Sequence, residues 1–274
     1  MESASSTQAA LLPKLLFVVI SSISTHRRAF WAANSWCKAH GVSCLFYADR
    51  PLSTQVGHGL KWTAIATNTP KNCCKRGSRG FFCSAHRRQT LQAQYRYLPA
   101  LHHARRSHVF NKDGAQWIVL LDDDSVVFVR QLQLLLSKYT AHQAVVLGEF
   151  KHDLSYACGG AGLVLSREAL IRLNLDTCIS RTKHRCMQSD WMVGECIRKY
   201  SHAIRIVSEH GCGSCAVRNC TADCAVKLAN GCQFMQNAAQ HMDWLLRRAN
   251  STLVSSPSIV HGGTMSVIGK STRA

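Results

Sequence analysis

An α/β fold built on parallel strands is what this chain predicts, and three observations carry the prediction. Leu15 to Ser21 is an apolar run, Arg27 to Ala39 has helical spacing with Phe30, Ala33 and Cys37 on one face, and Ser43 to Ala48 is a second β-rich run. Strand, helix, strand in that order is a βαβ unit, which normally sets its strands parallel and leaves ligands beyond their carboxyl ends. Further on, Trp117 to Leu121 is apolar and runs directly into Asp122, Asp123 and Asp124, after which Val126 to Val129 is apolar again. Adjacent carboxylates repel one another and strands are depleted in Asp, so the triplet belongs where a buried strand ends and the chain turns.

Composition sets the outer bounds. The 274 residues, 46% of them hydrophobic, suffice for a folded core in one large domain or two small ones. Lys and Arg total 33 against 15 Asp and Glu, a formal charge of +18 that suits an anionic partner: nucleic acid, an acidic membrane surface or a nucleotide-linked substrate. The basic residues are dispersed over Lys71 to Arg88, Arg105-Arg106, Arg181 to Arg185 and Arg247-Arg248, without the aromatic-interleaved signature of an RNA-binding surface.

Cysteine usage points to an oxidising compartment. There are 14 cysteines, and Cys212, Cys215, Cys220, Cys224 and Cys232 crowd into one stretch. That cluster suits zinc or disulfides; the gap between its pairs is shorter than in common zinc folds, and the total count favours disulfides. The glycosylation acceptors Asn219-Cys220-Thr221 and Asn250-Ser251-Thr252 agree with such a compartment. No stretch approaches the ~20 apolar residues of a membrane span. Leu11 to Ile20 contains Pro13 and Lys14 and reads as the first strand rather than a signal peptide, so any export signal or anchor is expected outside this chain.

The remaining elements follow in order. Thr25 or Ser24 is placed to cap the first helix. Asp49, at the end of the second strand, suits contact with a ribose or base, or is simply a turn residue before Pro51. Pro51 to Gly80 is polar and turn-rich, with one short strand near Trp62 to Thr67, and Ser84 to Tyr97 reads as a helix that Pro99 interrupts. After the triplet, Leu132, Leu135, Leu136 and Tyr139 set a helix behind the acidic turn. Val145 to Phe150 reads as a strand. In Ala157 to Ser166, Gly159, Gly160 and Gly162 permit close backbone approach to a ligand, and Ser166 caps a helix from Arg167 to Leu173. Val193, Cys196, Ile197 and Tyr200 share one helical face, which puts Asp190 at or next to an N-cap, where backbone N–H groups favour a carboxylate. Met235 to Ala249 has helical spacing, and Ser258 to Gly263 reads as a short strand containing His261.

Two roles remain open for the triplet from the residues alone: a solvated acidic turn, or a site for Mg²⁺ or Mn²⁺, which prefer carboxylate oxygens and keep positions open for phosphate. Taken in this order, Trp117 to Val129, Ala157 to Ser166, Ser189 to Cys196 and His261 resemble the Fringe-like β1,3-glycosyltransferases, with a looser likeness over Phe17 to Asp49. The resemblance implies a GT-A fold, a Rossmann-like mixed sheet flanked by helices, in one domain spanning 15–265. Residues 15–130 would be its nucleotide-binding half and 131–265 its acceptor half, including a cysteine-rich C-terminal insert at 210–232. Residues 1–14 would be a disordered N-terminal extension and 266–274 a tail. It further implies a UDP-sugar donor, a glycan or glycoprotein acceptor, and a Golgi or other secretory-pathway lumen. Mn²⁺ would be held by Asp122, Asp124 and His261; Asp49, Asp122, Asp123, Gly159 and Gly160 would contact the donor; Asp190 would be the catalytic base of an inverting transfer. Where that family often has two adjacent acids, this chain has Ser189-Asp190. The competing readings are an inactive glycan- or nucleotide-binding relative and a zinc-supported basic protein that binds nucleic acid.

Overall fold

The computed structural model describes residues 12–51, 60–67, 95–123, 125–148, 150–151, 156–157 and 162–208, with the backbone of Gly213–Ser214, Val226–Ala229 and Ile259–Gly262. Its centre is β1 (Leu15–Ile20), all six residues of which are buried. A strand covered on both faces reads as an unbroken apolar run rather than an alternation, which is why this one is visible in sequence. Leu16, Val18 and Ile20 join one core cluster, and Leu15, Phe17 and Val19 join the other on the opposite face. β2 (Val42–Ala48) and β4 (Trp117–Asp122) flank β1, both parallel to it.

The mixed seven-stranded sheet has the order β10-β6-β9-β4-β1-β2-β3, where β3 is Trp62–Ala64, β6 Val145–Gly148, β9 Leu163–Ser166 and β10 Arg205–Ser208. β9 runs antiparallel to β4 and β6, and the others pair in parallel. The chain passes from β1 to β2 and β3 on one side and then returns to β4 on the other. Sheets of this kind bind ligands outside the carboxyl ends of their strands at such a reversal. A second sheet contains β5 (Ser125–Val127), β11 (Gly213–Ser214), β12 (Val226–Ala229) and β13 (Ile259–Gly262), and β7 (Phe150–Lys151) pairs with β8 (Tyr156–Ala157). The mixed α/β sheet is the expected architecture.

Helices cover both faces: α1 (His26–Asn34), α2 (Tyr97–Arg106), α3 (His108–Asn111), α4 (Val129–Leu136), α5 (Arg167–Arg172), α6 (Leu175–Thr182) and α7 (Ser189–Lys199). Ser166 caps α5 as expected, accepting from Ala169 N–H. Several local expectations are corrected. Thr25 stands at the head of α1 without a side-chain cap, because its hydroxyl accepts from the Ser22 N–H instead. The helix stops at Asn34 and the chain continues as a 3₁₀ turn, Trp36–Lys38, so that Cys37 reaches Cys44 in a disulfide. Pro99 does not interrupt a helix: it lies in the first turn of α2, where a missing N–H has no intrahelical acceptor to lose. Phe150 leaves β6 for the β7–β8 pair, and β5 ends at Val127, before α4 begins. β10 and α6 were not expected. α6 is capped by Asn174, which accepts from the Thr177 N–H.

Candidate active site

Strand register gathers the acids. Ile20 of β1 is level with Asp122 of β4 and with Tyr47 of β2, so the carboxyl ends of the three strands coincide. Asp49 follows β2, and its Oδ1 accepts the Ile23 N–H at 2.8 Å, pinning the loop after β1. Burial alone pushes the Asp49 carboxyl up, but the N–H groups of Ile23 and of Asp49 itself, the Arg96 charge and the Arg50 hydrogen bond hold it below its ordinary value.

Asp122 is the last residue of β4, half-buried, and its Oδ1 accepts the Tyr97 hydroxyl at 2.5 Å. Asp123 turns inward. It is 5% exposed, its Oδ2 accepts the Ser21 hydroxyl at 2.6 Å, and Arg28 Nη1 lies 3.9 Å from its Oδ1. Asp124, Gly159 and Gly160 lie outside the described residues. The backbone of β13 pairs antiparallel with β5, setting His261 opposite Ser125, the residue after the triplet. That long-range pairing brings the expected ligand strand to the triplet. Among the described residues no group of three or more His, Cys, Asp or Glu side chains gathers as a metal cluster.

Asp190 occupies the second position of α7, two residues past its N-cap, Gln188, and its Oδ1 accepts the Trp191 N–H at 2.9 Å. It borders a narrow cleft whose lining includes Tyr97, Leu120, Phe150, Leu163 and Gly194. Tyr97 therefore belongs to both halves of the site: its hydroxyl holds Asp122, and the residue is among those lining the cleft of Asp190. Sequence reading missed Tyr97 and its neighbour Arg96, since a Tyr-Arg-Tyr string carries no periodic signal.

Side-chain ties fix α7 where it is. Tyr95 donates to the Arg185 carbonyl and accepts from the Met187 N–H at 3.4 Å, bracing the approach to Asp190. Arg185 Nη1 donates to both Glu195 oxygens at 2.5 Å, Lys199 adds a 2.9 Å bond, and a disulfide joins Cys178 of α6 to Cys196. Burial pushes the Glu195 carboxyl up, yet Lys199 and Arg185 outweigh it and hold the carboxyl below its ordinary 4.5. A depressed native value means that this stabilisation is complete above pH 4.5 and is lost as pH falls through the lower native value. Glu195→Gln is therefore expected to lose about 1–2 kcal/mol at neutral pH and progressively less in acid, read by denaturant titrations across pH. A pH-independent loss would exclude the charge as its source.

Known proteins resemble part of this chain. Residues 82–211 match the family described as Fringe-like. That stretch is just under half of the chain. The matched stretch includes Tyr95 to Tyr97, the triplet and Asp190, while Asp49 and His261 lie outside it. A glycoprotein-N-acetylgalactosamine 3-beta-galactosyltransferase 1 from Xenopus laevis is 36% identical over 107 residues, which are 38% of this chain and 29% of that protein. A human beta-1,3-glucosyltransferase is 38% identical over 86 residues, 29% of this chain and 16% of that protein. The matched part is thus under a third of either relative's length. A solved galactosyltransferase in complex with donor and acceptor sugar analogues has a TM-score of 0.48 at 12% identity, over 90% of this chain and 86% of its own. Likeness at that level says nothing about the reaction.

Proposed function

We propose that the chain is an inverting glycosyltransferase that moves a hexose from a UDP-sugar to a glycan hydroxyl, forming a β1,3 linkage. The observation that carries the reading is Tyr97, which joins the acids beyond β1, β2 and β4 to the cleft bordered by Asp190. Relatives named as β1,3-transferases support the linkage and the substrate class.

In this reading Asp122, Asp124 and His261 hold Mn²⁺, and Asp49 and Asp123, with the Gly159-Gly160 backbone, receive the donor. The donor set suits that ion: carboxylate oxygens at a strand end, with an imidazole-bearing strand paired beside them. When bound, the metal supplies positive charge that neutralises the leaving diphosphate. Tyr97 orients Asp122 by donating to its Oδ1. Asp190 accepts the proton of the acceptor hydroxyl. The acceptor oxygen bonds to the anomeric carbon as the bond from that carbon to the phosphate oxygen breaks, and the electron pair leaves on UDP. A single displacement inverts an α-linked donor to a β product.

The disulfides Cys37–Cys44 and Cys178–Cys196 agree with folding in an oxidising lumen, and we assign the protein to the secretory pathway, the Golgi included. Among the described residues no helix is long and apolar enough to cross a membrane. The cysteine-rich insert at 210–232 lies outside the described residues apart from the backbones of β11 and β12. A screen of UDP-sugars for UDP release tests the function: the expected result is Mn²⁺-dependent release with one sugar preferred, increased by a glycan acceptor. Binding of UDP-sugar without release would select the inactive-relative reading, and stoichiometric zinc with free thiols would select the nucleic-acid-binding one.

A further inference from the structure

We propose that Arg96 is a resident counter-cation of the donor-binding acids, attracting the donor's diphosphate while opposing a divalent ion at the same carboxylates. The proposal rests on the reading of those acids as a donor site. Arg96 is 2% exposed, its Nη1 donates to the Ser21 carbonyl, and its Nε is buried with no hydrogen-bond partner. A buried guanidinium with an unsatisfied donor is costly unless nearby carboxylates favour its charge. Burial pushes the Arg96 guanidinium below its ordinary value, and the charges of Asp49, Asp122 and Asp123 oppose that shift, one after β2, one ending β4 and one in the turn beyond it.

Ser21 ties the arrangement together, because its carbonyl holds Arg96 while its hydroxyl holds Asp123. Arg28, on α1, faces Asp123 at 3.9 Å with its side chain 31% exposed, so its charge is partly screened. The fully buried cation in this group is Arg96. Fixed positive charge beside these acids acts in opposite senses on the two ligands. It repels Mn²⁺ and attracts a diphosphate, so deleting it should strengthen one and weaken the other. A purely structural role would weaken both.

Calorimetry with MnCl₂ alone and with UDP alone, on the wild type, Arg96→Gln and Arg96→Lys, separates these cases. The expected result for Arg96→Gln is Mn²⁺ affinity raised at least about threefold and metal-free UDP affinity lowered at least about threefold, the scale of one unit charge at partly buried range. Arg96→Lys keeps the charge and should stay within about twofold of wild type for both ligands. Loss of both affinities in Arg96→Gln, no change in either, or an Arg96→Lys protein that behaves like Arg96→Gln would overturn the proposal. If Arg96→Gln fails to fold by circular dichroism, Arg96→Lys decides: wild-type affinities support the charge, and loss of both overturns it. Wild-type protein that binds neither Mn²⁺ nor UDP sinks the donor-site reading and the proposal with it, whereas wild-type binding with the wrong variant pattern sinks only the role of Arg96.

Discussion

Asp190→Asn is expected to lower the transfer rate by about 10²–10⁴-fold while Mn²⁺-UDP affinity stays within about twofold of wild type. The amide is nearly isosteric, and its oxygen can still accept the Trp191 N–H that Asp190 Oδ1 accepts, so the first turn of α7 should persist. What disappears is the carboxylate that takes the acceptor's proton. Because Asp190 sits in the first turn of α7 rather than among the acids beyond β1, β2 and β4, its removal should leave the donor side intact. Steady-state rates and UDP calorimetry on the same preparation provide the test. Activity retained at a tenth of wild type or better would remove Asp190 from proton transfer, and loss of UDP binding would move it to the donor side.

The second large effect concerns β1. Phe17 is 0% exposed, is paired in register with Cys44 on one side and Val119 on the other, and its ring lies 4.8 Å from that of Trp36. Phe17→Ala should cost about 3–5 kcal/mol, the sum of lost transfer energy and an incompletely collapsed cavity. For a chain of this size that is a fall of roughly 10 °C in Tm, read by thermal denaturation. A fall under about 3 °C would mean that neighbours refill the space and that the central strand is less constrained than its burial indicates. Disulfide-bonded protein should be used throughout, since Cys44, the register partner of Phe17, is bonded to Cys37.

Much of the frame was legible because its signals are local. Leu15 to Ile20 and Trp117 to Leu121 read as strands from unbroken apolar runs, which buried parallel strands require. Ser166 was legible as a cap, and Val193, Cys196 and Ile197 as a buried helical face. Errors came where two local rules compete. Pro99 reads locally as a helix stop, although proline is equally at home in a first turn, and only the start of α2 at Tyr97 separates the two. Thr25 can serve as a cap or close a turn, and the Ser22 N–H claims it. β10 has an exposed-to-intermediate pattern on the sheet's edge, so its four residues show neither a run nor an alternation.

Amino-acid order by itself determined the βαβ start, the strand that ends in the acidic triplet and the helix carrying Asp190, since hydrophobic period, turn chemistry and capping act within a few residues. Tertiary structure alone decided which acid faces which partner. Asp123 turns in to Ser21, Asp122 meets Tyr97, and Arg96 comes to the Ser21 carbonyl across 75 residues of sequence. A buried charge is stable only beside groups that favour it, and here those groups come from the ends of different strands, aligned by sheet register rather than by nearness along the chain.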